Sequence, residues 1–151
     1  MFHIILHQPE IPQNTGSVGR LCVSNGAALH LVHPLGFDTD DATVRRAGLD
    51  YWKRLAPVHY ADWPDFLARN PARRLWFFTT KGAPGHTSAE FQDGDGLVFG
   101  CETRGLPEDI LLANPDRLLR IPMLGDFHRS LNLAQAAAVG LYEALRQTEG
   151  W

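Results

Sequence analysis

A chain of 151 residues suits one domain, 1–151, whose core needs neither disulfides nor a structural metal. At 44% hydrophobic and 21% charged the composition excludes a disordered chain, and a formal charge of −3 argues against a basic nucleic-acid module acting as a monomer. Two cysteines without framework spacing, Cys22 and Cys101, fit a reducing cytoplasm, and the apolar start at 1–7 is too short for a signal peptide or a membrane span.

In chain order, residues 2–7 read as a strand, and Pro9 and Pro12 force an extended loop after it. Asn14 is placed to cap a helix running to Cys22 or Val23, with Gly26 as its stop. Residues 29–33 form a second strand. The aspartates of 38–41 then offer caps for a helix carrying Arg45 and Arg46. A weak strand at 56–60 and a short helix at 62–69 follow, with Pro64 in the first turn of the helix. Residues 75–80 are a strongly apolar buried strand and 81–85 a loop. A central strand at 96–100, a short helix at 106–112, a last strand at 118–122 and the longest helix at 131–146 complete the chain. Alternating strands and helices predict an α/β fold with a mainly parallel sheet flanked by helices.

In the last helix Leu131, Ala134, Ala138, Leu141 and Leu145 recur at three- and four-residue steps. Ala136, Ala137, Val139, Gly140 and Tyr142 leave little polar surface, so the helix either lies deep in the monomer or forms a subunit interface. The second is favoured.

Three strand ends carry small or polar residues: Thr79-Thr80, Gly100 and Ile121. Ligands of α/β sheets bind beyond such carboxyl ends, and glycine lets backbone approach closely. Each turn alone is also compatible with an ordinary strand-to-helix connection. Glu102 is suited to orient its loop through backbone N–H groups, and Arg104 to face an anion. Arg20, six residues after Asn14, suits a phosphate contact near a helix mouth. No metal site is expected: His30 and His33, three apart in a strand, point to opposite faces.

Together these segments resemble the SPOUT RNA methyltransferases, a knotted-fold superfamily, most closely the small tRNA (cytidine/uridine-34) 2′-O-methyltransferases. The carriers span the chain: Gln8-Pro9-Glu10-Ile11-Pro12-Gln13-Asn14-Thr15-Gly16 through Arg20; Arg45-Arg46-Ala47-Gly48-Leu49-Asp50-Tyr51; Thr79-Thr80-Lys81-Gly82; Gln92-Asp93-Gly94-Asp95; residues 99–107; and Ile121-Pro122-Met123 with Ser130-x-Asn132-Leu133. The connector Leu124-Gly125-Asp126-Phe127-His128 and the cysteine at 101 depart from the family pattern.

The resemblance implies a SPOUT fold with a C-terminal deep trefoil knot, an S-adenosylmethionine (AdoMet) donor yielding S-adenosylhomocysteine, a homodimer, a tRNA substrate and no metal. Carried over by motif, the cofactor contacts are Phe78, Gly100, Ile121, Ser130 and Leu131, and the residues around the reacting ribose are Arg20, Ser130 and Asn132. Arg45, Arg46, Lys81, Arg104 and Arg129 are placed along the RNA groove, which two subunits would build together. Methylation of a different tRNA or rRNA ribose, a catalytically silent RNA binder, and a small-molecule enzyme using the same cleft stand as rivals.

Overall fold

The computed structural model describes residues 1–40, 42–48, 51–127 and 129–151. Asp41, Leu49, Asp50 and His128, and the side chains of Arg45 and Ala47, lie outside the described residues. Six strands, β1 (His3–His7), β2 (Ala28–Val32), β3 (Val58–Tyr60), β4 (Leu75–Phe78), β5 (Gly96–Phe99) and β6 (Leu118–Leu119), form one sheet in the order β3-β2-β1-β5-β4-β6. Every pairing is parallel. The order reverses between β1 and β5, which creates a crevice beyond their carboxyl ends.

Alternation along the strands sorts the side chains onto two faces. Ile4 and Leu6 of β1, Trp76 and Phe78 of β4, and Leu97 and Phe99 of β5 join one core with α1 (Pro12–Ser24) and α6 (Leu133–Glu149). Ile5, Phe77 and Val98 join the other core with Phe66 of α4 (Trp63–Arg69) and Ile110 and Leu111 of α5 (Glu108–Leu112). The β strands therefore read as continuous apolar runs, as parallel strands covered on both faces must. Two further helices, α2 (Ala42–Gly48) and α3 (Trp52–Leu55), lie against α1. No helix among the described residues is long and apolar enough to cross a membrane.

Two expectations shift, and one helix was not foreseen. Asn14 does not cap α1: the helix starts at Pro12 with Ile11 at the cap position, and Asn14 lies in the first turn. The segment at 52–55 is helical although four residues are too few to show a period. In α6 the buried face is Leu133, Ala137, Gly140, Leu141, Ala144 and Leu145, so the predicted stripe is rotated and Leu131 precedes the helix. Gly140 explains the rotation. A Cβ there would meet Phe78 Cζ at 2.9 Å and Phe99 Cζ at 3.3 Å. Those two rings stack with centroids 4.6 Å apart, and the smallest residue of the helix sits on them. Val139 and Tyr142 face outward, exposed.

The amino ends of the strands hold a polar frame. The buried Asp95 carboxylate accepts from Arg74 Nε, Trp76 Nε1 and the Gln92 N–H, each at 2.9 Å. Beside it runs a chain of side-chain hydrogen bonds. Asn70 Oδ1 accepts from Arg73 Nε, so its amide nitrogen donates, to Tyr60 at 3.2 Å. The Tyr60 hydroxyl is hydrogen-bonded to His30 Nδ1 at 2.7 Å, and His30 Nε2 to His3 Nδ1 at 2.8 Å. The bond between the two rings requires at least one neutral imidazole, since one ring nitrogen must accept. Burial, first, pushes the pKa of both His3 and His30 well below the usual histidine range.

Unfolded histidine titrates near pH 6.5, so below that pH the unfolded chain binds protons that folded His30 refuses. Stability is expected to fall as pH drops from 7 to 5, with His30 contributing about 1 kcal/mol per pH unit. Urea denaturation across that range checks it: His30→Asn, which hydrogen-bonds without titrating, flattens the slope.

Candidate functional site

The loop after β1 and the loop after β5 are clasped by two carboxylates. Glu102 accepts from the N–H of Glu10 at 2.8 Å, the N–H of Ile11 at 2.6 Å and Asn14 Nδ2 at 3.2 Å. Reciprocally, Glu10 accepts from the N–H of Thr103 at 3.0 Å and its hydroxyl at 2.7 Å, which holds the Glu10 carboxyl below its ordinary pKa. Glu102 thus binds backbone N–H groups as expected, but those of the other loop, at the mouth of α1. Its charge there also suits the helix dipole.

The clasp fixes two amides in sequence. A carboxylate only accepts, so Asn14 turns its nitrogen to Glu102 and its oxygen to Asn132 Nδ2, 2.9 Å away. Asn132 then has its own oxygen free to accept from the N–H groups of Ala134 at 2.9 Å and Gln135 at 3.2 Å, which caps α6. Every bond in this line has one permitted direction. It links the β5 loop, through α1, to the start of the last helix.

A cleft of about 810 Å3 opens beside this line, within the size range of cofactor sites. Its walls include Thr79 and Thr80 after β4, Gly100 after β5 and Ile121 after β6, so the three strand ends do converge. All five residues expected to hold a cofactor, Phe78, Gly100, Ile121, Ser130 and Leu131, line it, as does Asn132. Gly100 has an internal reason as well: a Cβ there would lie 2.1 Å from the backbone of Gly105 and Leu106. The fit to a nucleoside-bearing cofactor is good. The walls pair apolar faces (Phe78, Ile121, Leu131, Leu133) with hydroxyls, amides and glycine backbone.

Of the expected RNA contacts, Lys81, Arg104 and Arg129 are exposed on the cleft walls. Arg46 is exposed on α2. Arg20 is not on the cleft of its own chain. It stands exposed in α1, its guanidinium 5.7 Å from the centre of the Tyr51 ring. Sequence reasoning assigned no role to Glu10 or Thr103. An acid or hydroxyl in each of two loops that meet only in space leaves no local signal.

A second hollow, about 450 Å3, lies at the amino ends of β4 and β5 among Arg69, Arg73 and Arg74. Each arginine is already engaged, Arg69 with Asp65, Arg73 with Asn70 and Arg74 with Asp95, so it is structural. Both cysteines are buried, and burial pushes the Cys22 thiol up to about 12, which leaves it inert. Among the described residues no group of His, Cys, Asp and Glu gathers to hold a metal.

Asn14→Asp places a carboxylate against Glu102 and removes the donor between them. It is expected to cost about 2 kcal/mol at pH 7.5 and to recover in part near pH 5, where a proton restores the donor. Urea denaturation at the two pH values measures this.

With the geometry in place, comparison with known proteins identifies the family. The model of the SpoU rRNA Methylase family matches residues 1–142. A tRNA (cytidine(34)-2'-O)-methyltransferase of Saccharophagus degradans is 50% identical over 148 residues, covering 97% of this chain and 96% of its own. A solved structure concerned with the 2-OH methylation of C/U34 on tRNA superposes with a TM-score of 0.94 at 43% identity, covering 100% of this chain and 98% of that one. The methyltransferase AviRb of Streptomyces viridochromogenes, in complex with AdoMet, gives 0.86 at 26% identity over 99% of this chain and 61% of its own. A family model that covers nearly the whole chain, on an α/β sheet whose strand ends converge on one cleft, leaves one assignment: the chain belongs to the SpoU rRNA Methylase family.

Proposed function

We propose that this chain is an AdoMet-dependent 2′-O-methyltransferase of the ribose at wobble position 34, cytidine or uridine, in the tRNA anticodon loop. The observation that carries it is the convergence of Ser130 and Asn132 with Phe78, Gly100, Ile121 and Leu131 on one cleft. Full-length similarity to a cytidine-34 enzyme at 50% identity supports the choice of nucleotide. The family's description names rRNA, so a different tRNA or rRNA ribose is the second reading.

AdoMet supplies a methyl group on a sulfonium, whose charge is lost on transfer and which an enclosed site therefore favours. The chain's part is positioning. Asn132, held by Asn14 and the cap of α6, fixes the wall on which Ser130 stands. Lys81, Arg104 and Arg129 present cations to the RNA backbone. A 2′-hydroxyl must lose its proton, and arginine keeps its own in proteins. Arg20 accordingly stabilises the developing alkoxide and orients a phosphate, and the proton passes to that phosphate or to water.

The enzyme works as a homodimer in the cytoplasm, without metal, from one domain spanning 1–151. Two features support a dimer. Val139, Tyr142 and Trp151 expose apolar surface at and beyond α6, and Arg20 lies off the cleft of its own chain. Arg20 of one subunit completes the cleft of the other, which also gives an acidic chain a local groove of cations. The C-terminal segment threads the trefoil knot of the family. Its support is that β6 lies at the sheet edge beside β4, while α6 returns to pack against α1 and β5.

Transfer of labelled methyl from AdoMet to bulk tRNA, followed by nucleoside mapping, tests the reading. Label at C34 or U34 is expected, at another ribose in the second reading, and none if the chain is a silent binder. Arg20→Lys is expected to slow single-turnover transfer at saturating RNA by about tenfold or more, and a near-normal rate removes the guanidinium role. Mixing equal amounts of Arg20→Ala and Ser130→Ala, each expected to be inactive alone, should restore about a quarter of wild-type activity through heterodimers, each with one intact site. No recovery after subunit exchange overturns the shared site.

A further inference from the structure

We propose that the Phe127 ring is a stacking platform for a nucleobase beside the reacting ribose. The inference rests on the single-stranded tRNA loop being the substrate and adds a contact that neither the motif nor the cleft supplies.

The ring is out of place for a core residue. Phe2, Phe66, Phe77, Phe78, Phe91 and Phe99 are all buried, whereas Phe127 is 78% exposed. It belongs to the connector between the end of β6 and α6. The N–H of Arg129 donates to the backbone carbonyl of Phe127 at 2.7 Å, which holds the chain at Phe127 close to Arg129 of the cleft wall. Arg129 and Ser130 line the cleft, and Ser130 is three residues from the ring. Three Cα steps span at most about 11 Å, so the Phe127 backbone lies within that distance of Ser130.

The surroundings decide the occupant. Lys81, Arg104 and Arg129 line the cleft that the connector borders through Arg129 and Ser130. An exposed aromatic among cations is the composition that binds single-stranded nucleic acid: the cations follow the phosphates and the ring takes an unstacked base. A lipid would need a wider apolar face. A second copy of the chain is better matched by Val139, Tyr142 and Trp151, which bring apolar area.

The test uses the full chain and an anticodon stem–loop RNA, with binding read by fluorescence anisotropy. Phe127→Ala is expected to raise Kd about tenfold, equivalent to about 1.4 kcal/mol, and Phe127→Trp to restore it. AdoMet affinity, by calorimetry, stays unchanged. Stem–loops carrying an abasic ribose at the target nucleotide or at either neighbour locate the base. At one of these positions wild type should bind as weakly as Phe127→Ala, and the substitution should cost nothing further. An equal loss on intact RNA and all three abasic RNAs overturns the proposal, as does no loss at all. A loss that tracks dissociation of the dimer in sedimentation overturns it too and assigns the ring to a second copy. The two readings fail separately. Wild type that methylates position 34 with Phe127→Ala indistinguishable from it refutes only the platform; base-dependent binding without methyl transfer refutes only the activity.

Discussion

Everything at the carboxyl end of this sheet depends on where one carboxylate points. Glu102 gathers the N–H groups of Glu10 and Ile11 and the amide of Asn14, and from there the order of donors and acceptors is fixed as far as the first turn of α6. Two amides in a row could each flip, at little cost, were they anchored to groups that both donate and accept. Anchored to a carboxylate at one end and backbone N–H groups at the other, neither can flip without setting like against like. The loop that carries Ser130 is thereby tied to the opening of α1, 118 residues away along the chain at Asn14–Asn132. A site assembled from three strand ends and a distant helix needs such a tie, because no single element holds all of its parts.

The second constraint is close approach. Gly100 admits the backbone of Gly105 and Leu106, and Gly140 admits the Phe78–Phe99 stack. Both are gaps in side-chain volume, and Gly100 lines the cleft besides. Phe78 consequently serves twice, as the ring on which α6 rests and as a wall of the cleft. A change in the packing of the last helix is therefore felt directly in the cofactor wall.

The same facts explain what the sequence could and could not disclose. Strand positions and the parallel sheet were legible, since Ile4–Leu6, Trp76–Phe78 and Leu97–Phe99 are apolar on both faces and bounded by turns. The converging ends at Thr80, Gly100 and Ile121 were legible for the same reason. Asn14 misled because its type is that of a helix cap, while its partner Glu102 is distant in sequence. The face of α6 misled because a count of large apolar residues gives no weight to Gly140, which packs on the Phe78 and Phe99 rings of the sheet. His30 was weighed only as a metal ligand and set aside, and only the fold brings it between Tyr60 and His3. Arg20 was matched by motif, which names a residue without saying which cleft it serves.

These observations also bear on how an acidic chain handles RNA. Net charge sets the long-range field, but binding is decided by which cations are uncommitted. At the amino end Arg69, Arg73 and Arg74 are each held by a carboxylate or an amide, and they stabilise the sheet. At the carboxyl end the acids are the ones that are committed: Glu10 and Glu102 are occupied by Thr103, by backbone N–H groups and by Asn14, while Lys81, Arg104 and Arg129 face the cleft. The clasp that builds the site also keeps two negative charges turned toward donors and away from an incoming phosphate. Structure and electrostatics are thus served by the same two residues, and a carboxylate lost from the clasp would free donors that no longer have a partner while removing the fixed order on which Asn132 depends.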